Sequence, residues 1–575
     1  MYRRSYFWPL AGLCILSLFL FLGQTFFNTR GEPREAVVAL SMLQQGNWVL
    51  PVNNGVELAF KPPFFHWCIA AISSLAGSVN EYTSRMPSAL ALSAMVLVGY
   101  VFYAKRRGAE VAFIAGLLTL TNFEVHRAGV ACRVDMVLTA MMVIALYQLY
   151  KWGEKGLRGI PWVAVFCLSA AALTKGPVGI VLPCLVPALF LWIRRVKFLR
   201  IFLSFFKVAA MACILPALWY WAAYMQGGDH FLELVLEENV YRFLGKMTYA
   251  AHENPAWYNV MTVLAGYTPY TLLLLVSLFF LHYKKPEGPL PAWWKRFTSY
   301  IRNMDDTRLY SMLCIVVIFT FYCIPKSKRS VYLLPVYPFI AYFLAEYIIY
   351  LRHRHVNALR VFGSIMASLA ILLTLVFAAV RTGLIPDALF CGRHAAENVA
   401  YMHALADFPL TIMAVLVAML PVAAAWRYFR VQRGNAADNG IIYAFVTVVF
   451  SIFFALDGLY QPVILNVKSD RAVAEEISRI VPEGRVYSFR TDVVEGNRMH
   501  PFTVNFYLGD RMVPFDCFNP RGDGYVLMGE DMAGPFMERY GEGYMLEQVY
   551  DPLHRSCDDK RFNRLYRFRS RQAGV

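Results

Sequence analysis

The chain has 575 residues, 58% of them hydrophobic and only 16% charged. Soluble domains carry roughly 25% charged residues, so this composition excludes a purely water-soluble protein and makes lipid the main solvent. The formal net charge of +16 does not argue for nucleic-acid binding, because Lys and Arg stand in short clusters between apolar runs and not on one basic face. The clusters are Arg3-Arg4, Lys105–Arg107, Lys151–Arg158, Arg194–Arg200, Lys284–Arg308, Arg352–Arg360 and Arg427–Arg433. Such clusters mark the cytoplasmic side of membrane proteins.

A stretch of about 20 apolar residues spans a bilayer. On that criterion spans fall near 7–27, 87–104, 109–125, 134–151, 160–174, 177–193, 202–224, 258–282, 309–324, 331–350, 359–380, 407–426 and 441–460, about thirteen in all. The first run follows Arg3-Arg4 but is longer than a signal-peptide core and lacks a small-residue cleavage site, so it reads as an uncleaved helix. Threading the spans from a cytoplasmic N-terminus puts every basic cluster inside and the tail outside. The expected architecture is an all-α polytopic membrane domain over residues 1–460, followed by a small α/β domain over 461–575.

The segment 28–86 is long for a connection. Ala36–Ala39, Met42-Leu43, Trp48–Leu50 and Phe64–Ala76 give it an amphipathic pattern, which predicts helices lying in the interface. In the tail, Ser469–Ile480 and Met532–Tyr540 read as helices, and Arg485–Phe489 and Gly524–Met528 as extended. The eleven cysteines form no C-x-x-C pair, so thiol-redox and zinc sites lack a pattern; Cys517 and Cys557 share the tail, where an oxidising compartment would permit a disulfide.

Charged residues near a membrane face are costly to place and mark function. On the expected outer face they occur in Arg30-Gly31-Glu32-Pro33-Arg34-Glu35, Lys61-Pro62-Pro63, Arg133-Val134-Asp135, Lys175-Gly176-Pro177 and Lys326-Ser327-Lys328-Arg329, followed by Tyr332. Cations there run against the positive-inside trend, and phosphate is an anionic partner that accounts for them. Simpler readings stand beside this one. Asp135 suits the first turn of a helix, Lys175 a snorkelling helix end, and Tyr332 an aromatic belt.

Gly31-Glu32-Pro33-Arg34-Glu35-Ala36, Gln45-Gly46-Asn47-Trp48-Val49-Leu50-Pro51, Gly55, Lys61-Pro62-Pro63 and Trp67 together resemble the first outer loop of the bacterial aminoarabinose transferases of lipid A. Those proteins belong with the protein O-mannosyltransferases in the GT-C class. Arg85–Ala89, Arg133–Met136, Leu173–Pro177, Glu238-Asn239 with Arg242-Phe243, and Tyr332–Pro338 continue the resemblance in order, over roughly residues 1–350.

The resemblance implies a GT-C fold in the bacterial inner membrane, with a cytoplasmic N-terminus and a periplasmic C-terminal domain. It also implies transfer of a sugar from a polyprenyl (undecaprenyl) phosphate donor to a lipid, glycan or protein acceptor at the periplasmic face. Carried over by position, Glu32 and Asp135 are the candidate catalytic acids. Arg34, Lys61, Lys175, Arg242, Lys326, Arg329 and Tyr332 are the candidate donor-binding residues. The sequence departs from the family at Gly31, where relatives carry Asp, at Phe60, where the aminoarabinose enzymes have a zinc-binding Glu, and at Asn239, where they have His. A divalent metal therefore has no supporting ligand pattern. The alternatives are a transporter or flippase of lipid-linked sugars, and a non-catalytic relative that only binds lipid-linked glycan.

Overall fold

The computed structural model describes residues 6–241, 253–255, 257–282, 294, 296, 298–301, 303–434, 439–491 and 501–571, with 239, 240 and 439 described by backbone alone. In chain order the first ten helices are α1 (Phe7–Leu18), α2 (Gly31–Gln45), α3 (Phe64–Ala76), α4 (Glu81–Arg107), α5 (Ala109–Leu120), α6 (Phe123–Gly129), α7 (Val134–Glu154), α8 (Trp162–Lys175), α9 (Val178–Ile193) and α10 (Phe198–Leu236). Among the described residues eight helices are long and apolar enough to cross a membrane, and Trp257–Gly266 with Tyr270–Leu278 forms a ninth, bent by 100°. The shorter apolar helices α1, α5, α8 and α9 fall on the four remaining expected spans. The chain is a multi-pass membrane protein.

Several spans differ in length from the sequence expectation, and at two of them a distant charged side chain meets the break. Helix α1 stops at Leu18, and Arg85 Nη1 caps the freed carbonyls of Leu22 at 3.0 Å and Thr25 at 2.5 Å, so the unwound stretch keeps its polar groups satisfied. The last span does not end near 460. It continues through a π turn, Leu456–Tyr460, into Gln461–Val467. The turn aims Asp457 at His126 Nε2, 2.5 Å away.

Between α1 and α4 the chain forms a lid-like layer: α2, a two-stranded hairpin of β1 (Val52–Asn53) and β2 (Glu57–Leu58), and α3. Helix α2 is buried nearly all round from Glu35 to Ala39, with Ser41 and Met42 also covered, as a helix enclosed by other elements must be.

After the last span comes a mixed five-stranded sheet, order β4-β3-β5-β7-β6, made of β3 (Val486–Ser488), β4 (Met512–Pro514), β5 (Gly524–Gly529), β6 (Tyr544–Tyr550) and β7 (Asn563–Ser570). β3 runs parallel to β4 and β5, and β7 antiparallel to β5 and β6. Alternate residues of β5 serve opposite faces: Leu527 packs with Val473, Ile477 and Phe502, whereas Val526 and Met528 pack with Phe489, Phe515 and Phe536. Both faces are therefore covered by apolar side chains, as period-two alternation demands. Cys517 is exposed and Cys557 buried, and no disulfide joins the two.

This unit grips the lid layer. Asp510 accepts from Ser41 Oγ at 2.7 Å and from the Asn54 amide at 2.9 Å, and Gln44 donates to Gly509 O at 3.2 Å. Gly55 turns the hairpin with φ +75°, and a Cβ there would press within 2.8 Å of Val513 and 3.0 Å of Phe518. Only glycine meets both demands.

Candidate active site

Helix α4 opens with a reciprocal cap: Asn80 accepts from the Thr83 amide at 3.0 Å, and Thr83 Oγ1 accepts from the Asn80 amide at 3.0 Å. Such a box satisfies two orphan donors and fixes the first turn. The next turn carries Arg85, 3% exposed, which clamps Glu32 through Nε–Oε1 at 2.8 Å and Nη2–Oε2 at 3.0 Å. The Cys132 amide donates to the same Oε1 at 2.9 Å. Burial would push the Glu32 carboxyl up, but Arg85 and the Cys132 amide outweigh it and hold the group below its ordinary range. Glu32 thus ties α2 to α4 and to the segment before α7. Beside it, a Cβ at Gly31 would collide with the Arg133 guanidinium, so that side chain fills the space an acid at position 31 would need.

One turn further along α2 lies a second acid. Glu35 Oε1 accepts from Arg34 Nη2 at 2.7 Å, and Oε2 meets His66 Nε2 at 2.9 Å. His66 projects from α3, whose start is set by Lys61-Pro62-Pro63, with Pro63 at the N-cap. Burial would raise the Glu35 carboxyl; Arg34, His66 and Lys61 together hold it well below the usual carboxylate range.

Asp135, in the first turn of α7, pairs with Lys175 at the C-terminal end of α8. The Lys175 ammonium also sits 4.5 Å from the centroid of the Tyr332 ring, a cation–π geometry. Tyr332 is presented by the 3₁₀ turn Ser330–Val336. The two acid centres share one field, because Arg34 is stabilised by Glu35, Glu238 and Asp135 together.

Five of the residues singled out from sequence therefore converge: Arg34, Lys61, Asp135, Lys175 and Tyr332. Glu32 lies next to the cluster but is held by Arg85. Lys326 does not join it; its side chain is exposed, and its carbonyl accepts from the Asn254 amide at 3.3 Å. Arg329 is half-buried at the N-cap of the turn that carries Tyr332. Arg242 lies outside the described residues. The structure adds Glu35 and His66, which the sequence reading left out of the candidate set. The available signal was spacing: Glu35 follows Gly31 by four residues, one helical turn on the same face.

Among the described residues the grouping with metal-ligand spacing is Asp470, Cys557 and Asp558, in the C-terminal unit. Its oxygens are already engaged: Ser556 Oγ donates to Asp470 at 2.6 Å, and the Thr503 amide and hydroxyl donate to Asp558 at 2.7 and 2.8 Å. Burial and the neighbouring Asp470 push the Asp558 carboxyl up to about 8.

The fold is that of the GT-C class of membrane glycosyltransferases. It superimposes on the crystal structure of ArnT from Cupriavidus metallidurans bound to undecaprenyl phosphate with a TM-score of 0.68 at 18% identity, covering 98% of both chains. Within that class the chain resembles the lipid A aminoarabinose transferases. The profile of the dolichyl-phosphate-mannose-protein mannosyltransferase family matches residues 60–221. An undecaprenyl phosphate-alpha-4-amino-4-deoxy-L-arabinose arabinosyl transferase of Proteus mirabilis is 27% identical over 349 residues, 58% of this chain and 59% of the relative. An uncharacterised protein of Aquifex aeolicus is 26% identical over 336 residues, 58% of this chain and 62% of the relative. The matched region spans about three fifths of those relatives.

Proposed function

We propose that this protein transfers a sugar from a polyprenyl-phosphate donor to a lipid, glycan or protein acceptor at the periplasmic face of the bacterial inner membrane, with its N-terminus in the cytoplasm and the residues after the last span, from Lys468 onward, forming a periplasmic domain. The carrying observation is the cluster of Arg34, Lys61 and Lys175 around two buried acids at one end of the bundle. A leaving polyprenyl phosphate gains negative charge as the sugar C1–O bond breaks, and preorganised cations stabilise that charge more than they stabilise the bound donor. Lys61 and Arg34 hold the phosphate in this reading, Lys175 orients Asp135, and Asp135 faces the acceptor. The undecaprenyl phosphate bound to the Cupriavidus structure supports a lipid-phosphate ligand for the same fold.

The test uses full-length protein in membranes supplied with the polyprenyl-phosphate sugars extracted from the host, following release of undecaprenyl phosphate. Lys61→Ala is expected to cut release by about 10²-fold or more, the scale of losing one preorganised charge. Release at the wild-type rate would sink the phosphate assignment.

A further inference from the structure

We infer that Glu35, oriented by His66, is a catalytic carboxylate of this site, the group that accepts the proton of the attacking acceptor. The inference rests on the glycosyltransferase reading above and goes beyond it, since that reading leaves the first-loop base unassigned.

Four acids border the cluster, Glu238 through its charge on Arg34; the partners of the other three separate them. Glu32 spends both oxygens on Arg85, whose side chain is only 4% exposed, and one also on the Cys132 amide, so it is walled in and has a structural task. Asp135 pairs with Lys175 and lies in the field of Arg133 and Arg34. Glu35 is divided between Arg34, whose side chain is 41% exposed and reaches outward, and His66, only 2% exposed. The pairing with His66 fixes the carboxylate plane from the buried side. His66 itself has a buried Nδ1 with no hydrogen-bond partner. A buried ring nitrogen left unsatisfied carries a desolvation cost, and the Glu35 contact is the hydrogen bond that the ring does make. Such a histidine acts as a positioning residue.

The position on α2 also fits. Gly31 and Glu35 occupy the same helix face one turn apart, and the Arg133 guanidinium fills the space beside Gly31. Glu35 stands one turn on, bonded to Arg34 and in the field of Lys61. A strongly ionised carboxylate is a weak base, yet it suffices here. As the acceptor oxygen or nitrogen bonds to the sugar C1, the acceptor proton becomes strongly acidic. The C1–O bond to phosphate breaks with its electron pair leaving on the phosphate, and the proton passes to Glu35.

The experiment compares full-length wild type, Glu35→Gln, Glu35→Asp and His66→Ala. Undecaprenyl phosphate is the binding probe, and release of undecaprenyl phosphate from extracted polyprenyl-phosphate sugars is the turnover readout. Glu35→Gln is expected to bind the probe within about threefold of wild type while kcat falls about 10²–10⁴-fold, the range of a general base. Glu35→Asp recovers part of that loss, and His66→Ala lowers kcat by a smaller factor with donor KM unchanged. Turnover by Glu35→Gln at the wild-type rate overturns the inference and leaves the glycosyltransferase reading intact. Joint loss of probe binding and turnover overturns it too, making Glu35 the counter-ion that orders Arg34. Wild-type protein with no turnover overturns both.

Discussion

The two ends of the helix bundle handle charge differently. At the end holding the basic clusters, neighbouring helix termini are pinned by matched pairs: Arg106–Glu154 at 2.5 Å, Arg194–Asp306 at 2.5 Å, Arg352–Glu110 at 2.5 Å, and Glu346 shared by Arg107 and Arg308 at 2.5 and 3.0 Å. Several of these acids are wet, with Glu154 46% and Asp306 59% exposed. At the opposite end Glu35 and Asp135 keep 6% and 11%, and cations from α2, from the start of α3 and from α8 converge on them. Coulomb interactions strengthen as water is excluded. Similar side chains therefore serve as paired fasteners at one end and as a concentrated cluster around two buried acids at the other.

Four experiments probe that contrast, from the largest expected effect down. Arg85→Met strips the counter-ion from buried Glu32, so thermal unfolding in detergent should register a loss of about 3–5 kcal/mol; adding Glu32→Gln should return part of it. A single variant as stable as wild type would mean that this clamp does not hold the lid layer. Asp135→Asn, nearly isosteric, should lower turnover about 10²–10³-fold with unfolding little changed, and normal turnover would remove Asp135 from the chemistry.

The third experiment concerns the unit that grips the lid. A carboxyl raised in the folded state costs nothing below its unfolded value near 4, and its penalty grows as pH rises towards the folded value. With Asp558 at about 8, the C-terminal unit should lose about 2 kcal/mol between pH 6 and 8. Melting curves of the full-length protein across that window test this, and Asp558→Asn should flatten the dependence. Finally, Glu154→Gln removes one fastener from the opposite end; stability should move by less than about 1 kcal/mol, with turnover unchanged. A large effect there would erase the distinction between the two ends.

Spans were legible because lipid imposes long apolar runs, and the tail was legible where helical and alternating runs are clean, as at Arg471–Ile480 and Gly524–Gly529. Breaks within spans were not, since the unwinding after Leu18 depends on Arg85, more than sixty residues away. Lys61, Asp135 and Lys175 could be singled out as charges stranded at a membrane face. The division of labour between Glu32 and Glu35 could not. Both sit in one motif, and what separates them is which helix each faces: Arg85 on α4 or His66 on α3. The filling of Gly31's neighbourhood by Arg133 was hidden for the same reason, because a partner about a hundred residues away leaves no local trace.

The grip of Asp510 on the Asn54 amide joins residues 456 positions apart. During synthesis the hairpin leading to Lys61 leaves the ribosome well before its anchor does. The hairpin is thus held only once Asp510 has been made, and a product truncated upstream of it would carry Lys61 without the latch that keeps its loop in register.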